Sequence, residues 1–488
     1  MKRTLFFGMD LGTQGVRGVI SDEKGHVAAA YSKAFSSLNC SSYEEGYEQR
    51  PSDWRETVLE VMKACREQLE AAGIKAEQVA AMSIDGTSGT VLPVDGAGEA
   101  LMPALMYNDM RAGEEAALIR ETGAVLERKM GFRFNASFSL PKILWIRKHL
   151  PQIHERARYY VHQADYIVGQ LCGICNKTDY SNALKTGYDL LENRWPSFLT
   201  ELDIKTEMLP EVVAPGTEIG RLLPRIACET GFSEKLMVVA GATDGYASAL
   251  AAGAVRPGDW ASVIGTTLVL KGVTRELLVD KNGNSYSHKL PSGAWMLGGA
   301  ANLGGRCLND AFPRERFGEL NQWVPRVIPT GVISYPLHGK GERFPFLNPD
   351  AEAFFQGDIS DERVFYAALM EGVAYGERFA FEYLQKAGAE VGPVICTAGG
   401  VCRSKEWLRI RASVLNRELR VPKIVDAAMG CTLLAASASC YASLEEAASH
   451  MISFQTIVQP DPRLAGKYEY LYQKARAEYL RRFCGGYL

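Results

Sequence analysis

Apolar and polar positions alternate in short blocks at the start of the chain. Leu5 to Met9 is an apolar run, Asp10 to Gly15 is turn-rich, Val16 to Ile20 is β-branched, and Asp22 to Gly25 leads into a third run at His26 to Tyr31. This predicts a meander of strand, turn, strand, turn, strand. A dinucleotide-binding or P-loop unit needs its glycine turn to enter a helix directly, and here the turn enters another strand. After Pro51, the residues Trp54, Val58, Val61, Met62, Cys65 and Leu69 recur at helical spacing and predict one amphipathic helix. A strand at Val79 to Ile84 then ends in the polar turn Asp85-Gly86-Thr87-Ser88-Gly89, the position at which an α/β sheet presents ligand groups.

The pattern repeats near residue 236. Leu236 to Ala240 predicts a strand, Gly241 to Gly245 a tight turn, and Tyr246 to Ala254 an alanine-rich helix. Ala261 to Ile264 and Leu268 to Leu270 then form a hairpin around Gly265-Thr266-Thr267. A Gly-Thr turn inside a hairpin therefore occurs twice, at Gly12-Thr13 and Gly265-Thr266, and suggests a duplicated fold whose hairpins face each other across a cleft. Small-residue segments at 297–305 and 395–400 allow backbone amides to approach a ligand closely. The last part, Lys467 to Arg482, predicts a charged helix.

At 488 residues the chain exceeds one compact core, so two domains are expected, divided at 236/237, with the last helix left free to pack back on the first. Hydrophobic residues make up 47% and charged residues 23%, as in an ordinary globular protein. The net charge of −3, without a basic stripe, excludes a nucleic-acid binder. No apolar run is long enough to span a membrane, and the first residues show no cleavage signal, so a cytoplasmic protein is expected. Eleven cysteines, an odd number, argue for reduced thiols, and Cys172-Gly-Ile-Cys175 lacks the further ligands of a zinc site. A small-molecule partner is expected, with neither nucleic acid nor membrane, and with a homodimer left open.

Phosphoryl transfer needs phosphates held by amides, charge neutralised by a metal, and an attacking hydroxyl that is aligned and deprotonated. Donors of Gly12, Thr13, Gly265, Thr266 and Thr267 suit the phosphates. Asp10, at a strand end, suits Mg²⁺ held through water, and Asp244, between strand and helix, suits the proton of a substrate hydroxyl. Taken singly, an Asp beside Gly reads first as a turn former or helix cap. Gly304, Gly305, Gly399 and Gly400 read equally well as tight-turn formers.

Six segments in order add a resemblance: Asp10-Leu-Gly-Thr, the element from Glu48 to Trp54, Thr178 to Leu184, Gly241-Ala-Thr-Asp244, Gly341 to Pro345, and Ala398-Gly399-Gly400. Over nearly the whole chain these resemble the FGGY carbohydrate kinase family. The resemblance implies an α/β, two-domain actin-like fold of the sugar kinase, Hsp70 and actin type, with a duplicated ribonuclease H-like core and a cleft between domains. Ile84 to Leu92, His162 to Tyr166, Pro215 to Gly220 and Tyr286 to Leu290 resemble the D-ribulose kinase branch.

By these positions the resemblance implies that Asp10, Thr13, Ser88 and Asp244 contact a ketopentose, with Asp244 as base. It implies that Gly265 to Thr267 hold phosphate and that Gly304, Gly399 and Gly400 lie near the nucleotide. The implied reaction is ATP-dependent phosphorylation of the terminal hydroxyl, first of D-ribulose. The alternatives are D-xylulose or another ketose or polyol, and, from a different class, an ATPase or a sugar-binding protein without catalysis. Gln14, Gly245 and Val401 depart from the branch, and Tyr107 to Arg111 is more similar to the corresponding element of xylulose kinases.

Overall fold

A computed structural model describes residues 3–43, 46–280 and 285–485. The chain forms two compact units, each of which brings together distant segments. The first comprises Met1–Ala251, His288–Ala294 and Ile424–Ser453; the second comprises Ala252–Ser287, Trp295–Lys423 and Phe454–Leu488.

In the first unit, β1 (Leu5–Leu11), β2 (Gly15–Asp22) and β3 (Val27–Ala34) form the expected antiparallel meander. Helix α1 (Pro51–Ala71) buries all six of its periodic apolar residues, from Trp54 to Leu69. Its charged residues face water. Strand β4 (Val79–Gly86) lies parallel to β1, and helix α2 (Gln163–Cys172) is buried along its length. Strands β5 (Glu218–Arg221) and β6 (Met237–Val239) complete a sheet of order β5-β6-β4-β1-β2-β3, with β6 parallel to β4. Helix α3 (Asp244–Ala251) follows.

The expected division at 236/237 therefore shifts. Strand β6 is hydrogen-bonded into the first sheet, so residues 237–251 remain with the first unit. The segment 424–453 also belongs there. Its helix Ala427–Ser439 consists mainly of Ala, Gly, Cys and Leu and is almost entirely buried. Small side chains let it lie directly on β1: a Cβ on Gly8 would sit 1.8 Å from the Ala428 carbonyl oxygen.

The second unit repeats the order. Strands β7 (Trp260–Ile264), β8 (Leu268–Thr274) and β9 (Trp295–Ala300) are its antiparallel meander. Helices α4 (Phe317–Val327) and α5 (Glu362–Lys386) follow, and then β10 (Val394–Ala398), parallel to β7. After α6 (Lys405–Leu415), strand β11 (Glu418–Pro422) pairs parallel to β10, and β12 (Phe454–Val458) pairs antiparallel to β11. Six strands in the order β12-β11-β10-β7-β8-β9 match those of the first unit in order and direction, and a seventh strand, Tyr286–Lys289, adds to the edge beyond β9. The duplication suggested by two Gly-Thr hairpins extends to six strands of each sheet. Helix α7 (Pro462–Phe483) buries Leu464, Tyr468, Tyr472, Ala475 and Tyr479. It packs on α5 and α6 of its own unit.

Candidate functional site

Parallel strands in the first unit end together, and an aspartate stands at each end. Asp10 and Asp85 are register partners across β1 and β4. The chain leaving β6 continues alongside β4, with Gly86 N–H donating to Ala242 O at 3.2 Å and Gly86 bridged to Thr243, and so delivers Asp244 as the first residue of α3. Thr243 N–H donates to Ser181 Oγ at 2.8 Å, and Ser181 in turn donates to the buried Asp179 at 2.5 Å. The Thr178 to Leu184 element thus braces the turn that carries Asp244.

Asp85 is fully buried, and desolvation with the nearby charges of Asp10 and Asp244 pushes its carboxyl well above the usual range. Burial pushes Asp10 up to about 6, opposed by its hydrogen bond with Asp85 and raised further by Asp426 and Asp244. The two effects favour a neutral Asp85 beside an ionised Asp10 at neutral pH. Cys431 Sγ also donates to Asp85, at 3.3 Å.

Asp85 is a residue that sequence reading missed as a functional group; its place at a strand end was the available signal. Because its burial favours the neutral form, Asp85→Asn is expected to keep kcat/KM within about threefold. Asp85→Ala should lower it by about tenfold or more, the size of one lost hydrogen bond to a charged group. Steady-state kinetics on both variants decides this, since an Asn variant as impaired as the Ala variant would mean that Asp85 works ionised.

The two hairpin turns share one feature. Gly12 N–H donates to Gly15 O at 3.0 Å, and Gly265 N–H to Thr267 O at 3.1 Å. The N–H groups of Thr13 and Gln14, and of Thr266 and Thr267, make no hydrogen bond among the described residues. Exposed, unsatisfied amides at a tight turn form an anion-binding concavity. Gln49 fixes the first turn: its Nε2 donates to Thr13 O at 2.8 Å while its Oε1 accepts from Trp54 Nε1 at 2.9 Å. That accounts for the Glu48 to Trp54 element. Ser88 sits in the turn after β4, and its Oγ is inaccessible and without a partner in the described structure. Gln163 steadies this turn by accepting from Thr87 N–H at 2.9 Å and Thr87 Oγ1 at 2.7 Å. Asp109 and Arg111 pair with each other at 2.7 Å, and Arg111 reaches Glu48 at the same distance.

In the second unit a cavity of about 520 Å³ opens beside the β7–β8 turn. Gly265, Thr266, Gly305 and Gly400 line it. Thr267, Gly304 and Gly399 do not; they lie behind the lining. A Cβ on Gly304 would stand 2.4 Å from Thr266 O, so only glycine lets that loop seat against the turn. Gly399 has φ of +97° with Ile264 O directly beside it. Glu342 secures the Gly304 loop, accepting from Asn302 N–H at 2.6 Å and Leu303 N–H at 3.1 Å, which gives the Gly341 to Pro345 element its role. Arg314 and Arg403 also line the cavity, and neither forms an ion pair among the described residues. Two uncompensated guanidinium groups beside free amides suit a polyanion.

Asp10 stands next to a hairpin with Asp85 and Asp244 nearby, yet among the described residues no group of three His, Cys, Asp or Glu side chains forms a ready cage for a metal ion. No helix there is long and apolar enough to cross a membrane.

Comparison with known proteins agrees with this geometry. Residues 5–251 match the N-terminal domain of the FGGY family of carbohydrate kinases, and residues 260–439 match its C-terminal domain. A xylulose kinase from Bacillus subtilis is 28% identical over 482 residues, covering 95% of this chain and 94% of its own. A gluconokinase from the same organism is 27% identical over 472 residues, covering 91% and 90%. The crystal structure of xylulose kinase from Rhodospirillum rubrum superposes with a TM-score of 0.84 at 24% identity, over 98% of both chains. Its paired domains, its duplicated sheet and the family match over both halves make this chain a member of the FGGY family of carbohydrate kinases.

Proposed function

We propose that the protein transfers the γ-phosphoryl group of ATP to the terminal hydroxyl of a ketopentose. The convergence of Asp10, Asp85 and Asp244 at the ends of neighbouring strands carries this reading. Asp244 is half-buried at a helix start, with one carboxylate oxygen accepting from Gly245 N–H at 2.6 Å, and serves as the base for the hydroxyl proton. Thr13, on the turn beside Asp10, supplies a sugar contact; Ser88 stands on the turn after Asp85 with its Oγ closed off from the surface. The cavity beside Gly265 and Thr266 takes the nucleotide, with amides and the two arginines facing its phosphates. Mg²⁺, when bound, would neutralise phosphate charge; Asp10 would hold it through water, an arrangement suited to an ion that keeps several waters and takes its other ligands from the nucleotide.

D-Xylulose is the better-supported sugar, since xylulose kinases are similar to this chain over nearly its full length. D-Ribulose is the second reading, favoured by the Ile84 to Leu92 segment with its buried Asp85. Coupled ADP release across D-xylulose, D-ribulose, L-xylulose, L-ribulose, ribitol, gluconate and glycerol at fixed Mg-ATP separates them. D-Xylulose is expected to give the highest kcat/KM. First place for D-ribulose would select the second reading, and first place for gluconate or glycerol would overturn the ketopentose assignment.

A further inference from the structure

The lining of the second unit's cavity combines polar and aromatic groups. Gly265, Thr266, Asn309 and Arg314 are among the former, and Arg314 Nε donates to Asn309 Oδ1 at 2.7 Å. Phe317 and Tyr366 are among the latter and pack with ring centroids 5.7 Å apart. Asn321, one turn along α4 from Phe317, also lines the cavity.

The orientation of its carboxamide follows from its neighbours. Ser404 Oγ accepts from Trp407 N–H at 3.2 Å, capping α6, and this leaves its proton to go to Asn321 Oδ1 at 2.9 Å. Tyr366 OH, on a buried ring, donates to the same oxygen at 3.4 Å. With Oδ1 engaged by two hydroxyls, the amide nitrogen must point the other way. Asn321 Nδ2 has no partner among the described residues. The amide is therefore a fixed donor, held by three elements, beside the aromatic part of the lining.

We infer that Asn321 reads the base of the phosphoryl donor, its Nδ2 donating to an acceptor nitrogen on the edge of a purine ring that lies against Phe317 and Tyr366. This rests on the cavity being the nucleotide site. Flat rings stack on aromatic faces whatever their identity, so selectivity requires an edge contact, and a prepositioned donor loses little entropy on binding.

Asn321→Asp isolates this donor. A carboxylate still accepts from Ser404 and Tyr366, so the packing of α4 is kept, while the second position becomes an acceptor that repels a ring nitrogen. Binding of ADP and of inorganic tripolyphosphate, which has no base, is measured by calorimetry on wild type, Asn321→Asp and Gly400→Trp. The last variant places an indole in the cavity from a position where an added Cβ meets nothing within 4 Å. The expected result is a loss of about tenfold or more in ADP affinity for Asn321→Asp, the scale of one lost hydrogen bond, with tripolyphosphate affinity unchanged. Unchanged ADP affinity in Asn321→Asp, or an equal loss for both ligands, overturns the base-reading role. Undiminished ADP affinity in Gly400→Trp overturns the placement of the nucleotide itself.

Discussion

Asp244→Asn will fold as the wild type does, bind ATP with affinity within about twofold, and turn over at least about 100-fold more slowly, the usual cost of losing a general base. The substitution is nearly isosteric. The bond from Gly245 N–H needs only one side-chain oxygen, which Asn keeps, so the start of α3 is undisturbed. The braces behind the turn, Thr243 to Ser181 and Ser181 to Asp179, do not involve the Asp244 side chain. What disappears is the capacity to accept a proton. Single-turnover measurement of phosphoryl transfer, with thermal unfolding as the control for folding, tests this. A variant that transfers at the wild-type rate would remove Asp244 from its role.

The second large effect is on stability. Arg411 and Glu377 form a fully buried ion pair, with Nη2 to Oε1 at 2.7 Å and Nε to Oε2 at 2.8 Å. Arg411 also donates to Thr397 Oγ1 at 2.7 Å and Ser262 Oγ at 3.1 Å. Ser262 lies on β7 just before the Gly265 turn, and Thr397 on β10 just before Gly399. The pair thus ties α5 and α6 to the two strands that present the cavity loops. Arg411→Leu leaves a carboxylate buried with its cation gone, and should cost about 3–5 kcal/mol. Arg411→Leu with Glu377→Leu removes both charges and is expected to recover most of that loss, because an apolar pair of similar volume often replaces a buried ion pair at little cost. Denaturant unfolding of both variants provides the comparison. A single variant within about 1 kcal/mol of wild type would show that the pair contributes little. A double variant no better than the single would place the loss in packing.

The parts of this fold that were legible in the sequence are those written in local spacing. The meander of β1 to β3, the amphipathic α1 and the two Gly-Thr hairpins follow from residues within a few positions of one another. The parts that were not legible depend on register or on remote partners. Asp85 read as the first residue of a turn; β4 in fact continues through Gly86, and only its parallel register with β1 puts the carboxyl beside Asp10. The Ala427–Ser439 helix has nearly uniform hydrophobicity and so carries no periodic sign of the sheet it covers. Gln49 reaches Thr13 across 36 positions, and Asn321 meets Ser404 across 83, so neither tether leaves a local trace. The glycines expected near the nucleotide were grouped from sequence, but their division into residues that line the cavity (Gly265, Gly400) and residues behind it (Gly304, Gly399) is a matter of three-dimensional approach.

The most direct test of the account is the stoichiometry of product formation at saturating Mg-ATP with and without a ketopentose. With D-xylulose or D-ribulose present, the protein should form one sugar monophosphate for each ADP released, and ADP release should be negligible when the sugar is left out. ADP released at the same rate without sugar, or released without a phosphorylated sugar, would contradict transfer to a ketopentose hydroxyl.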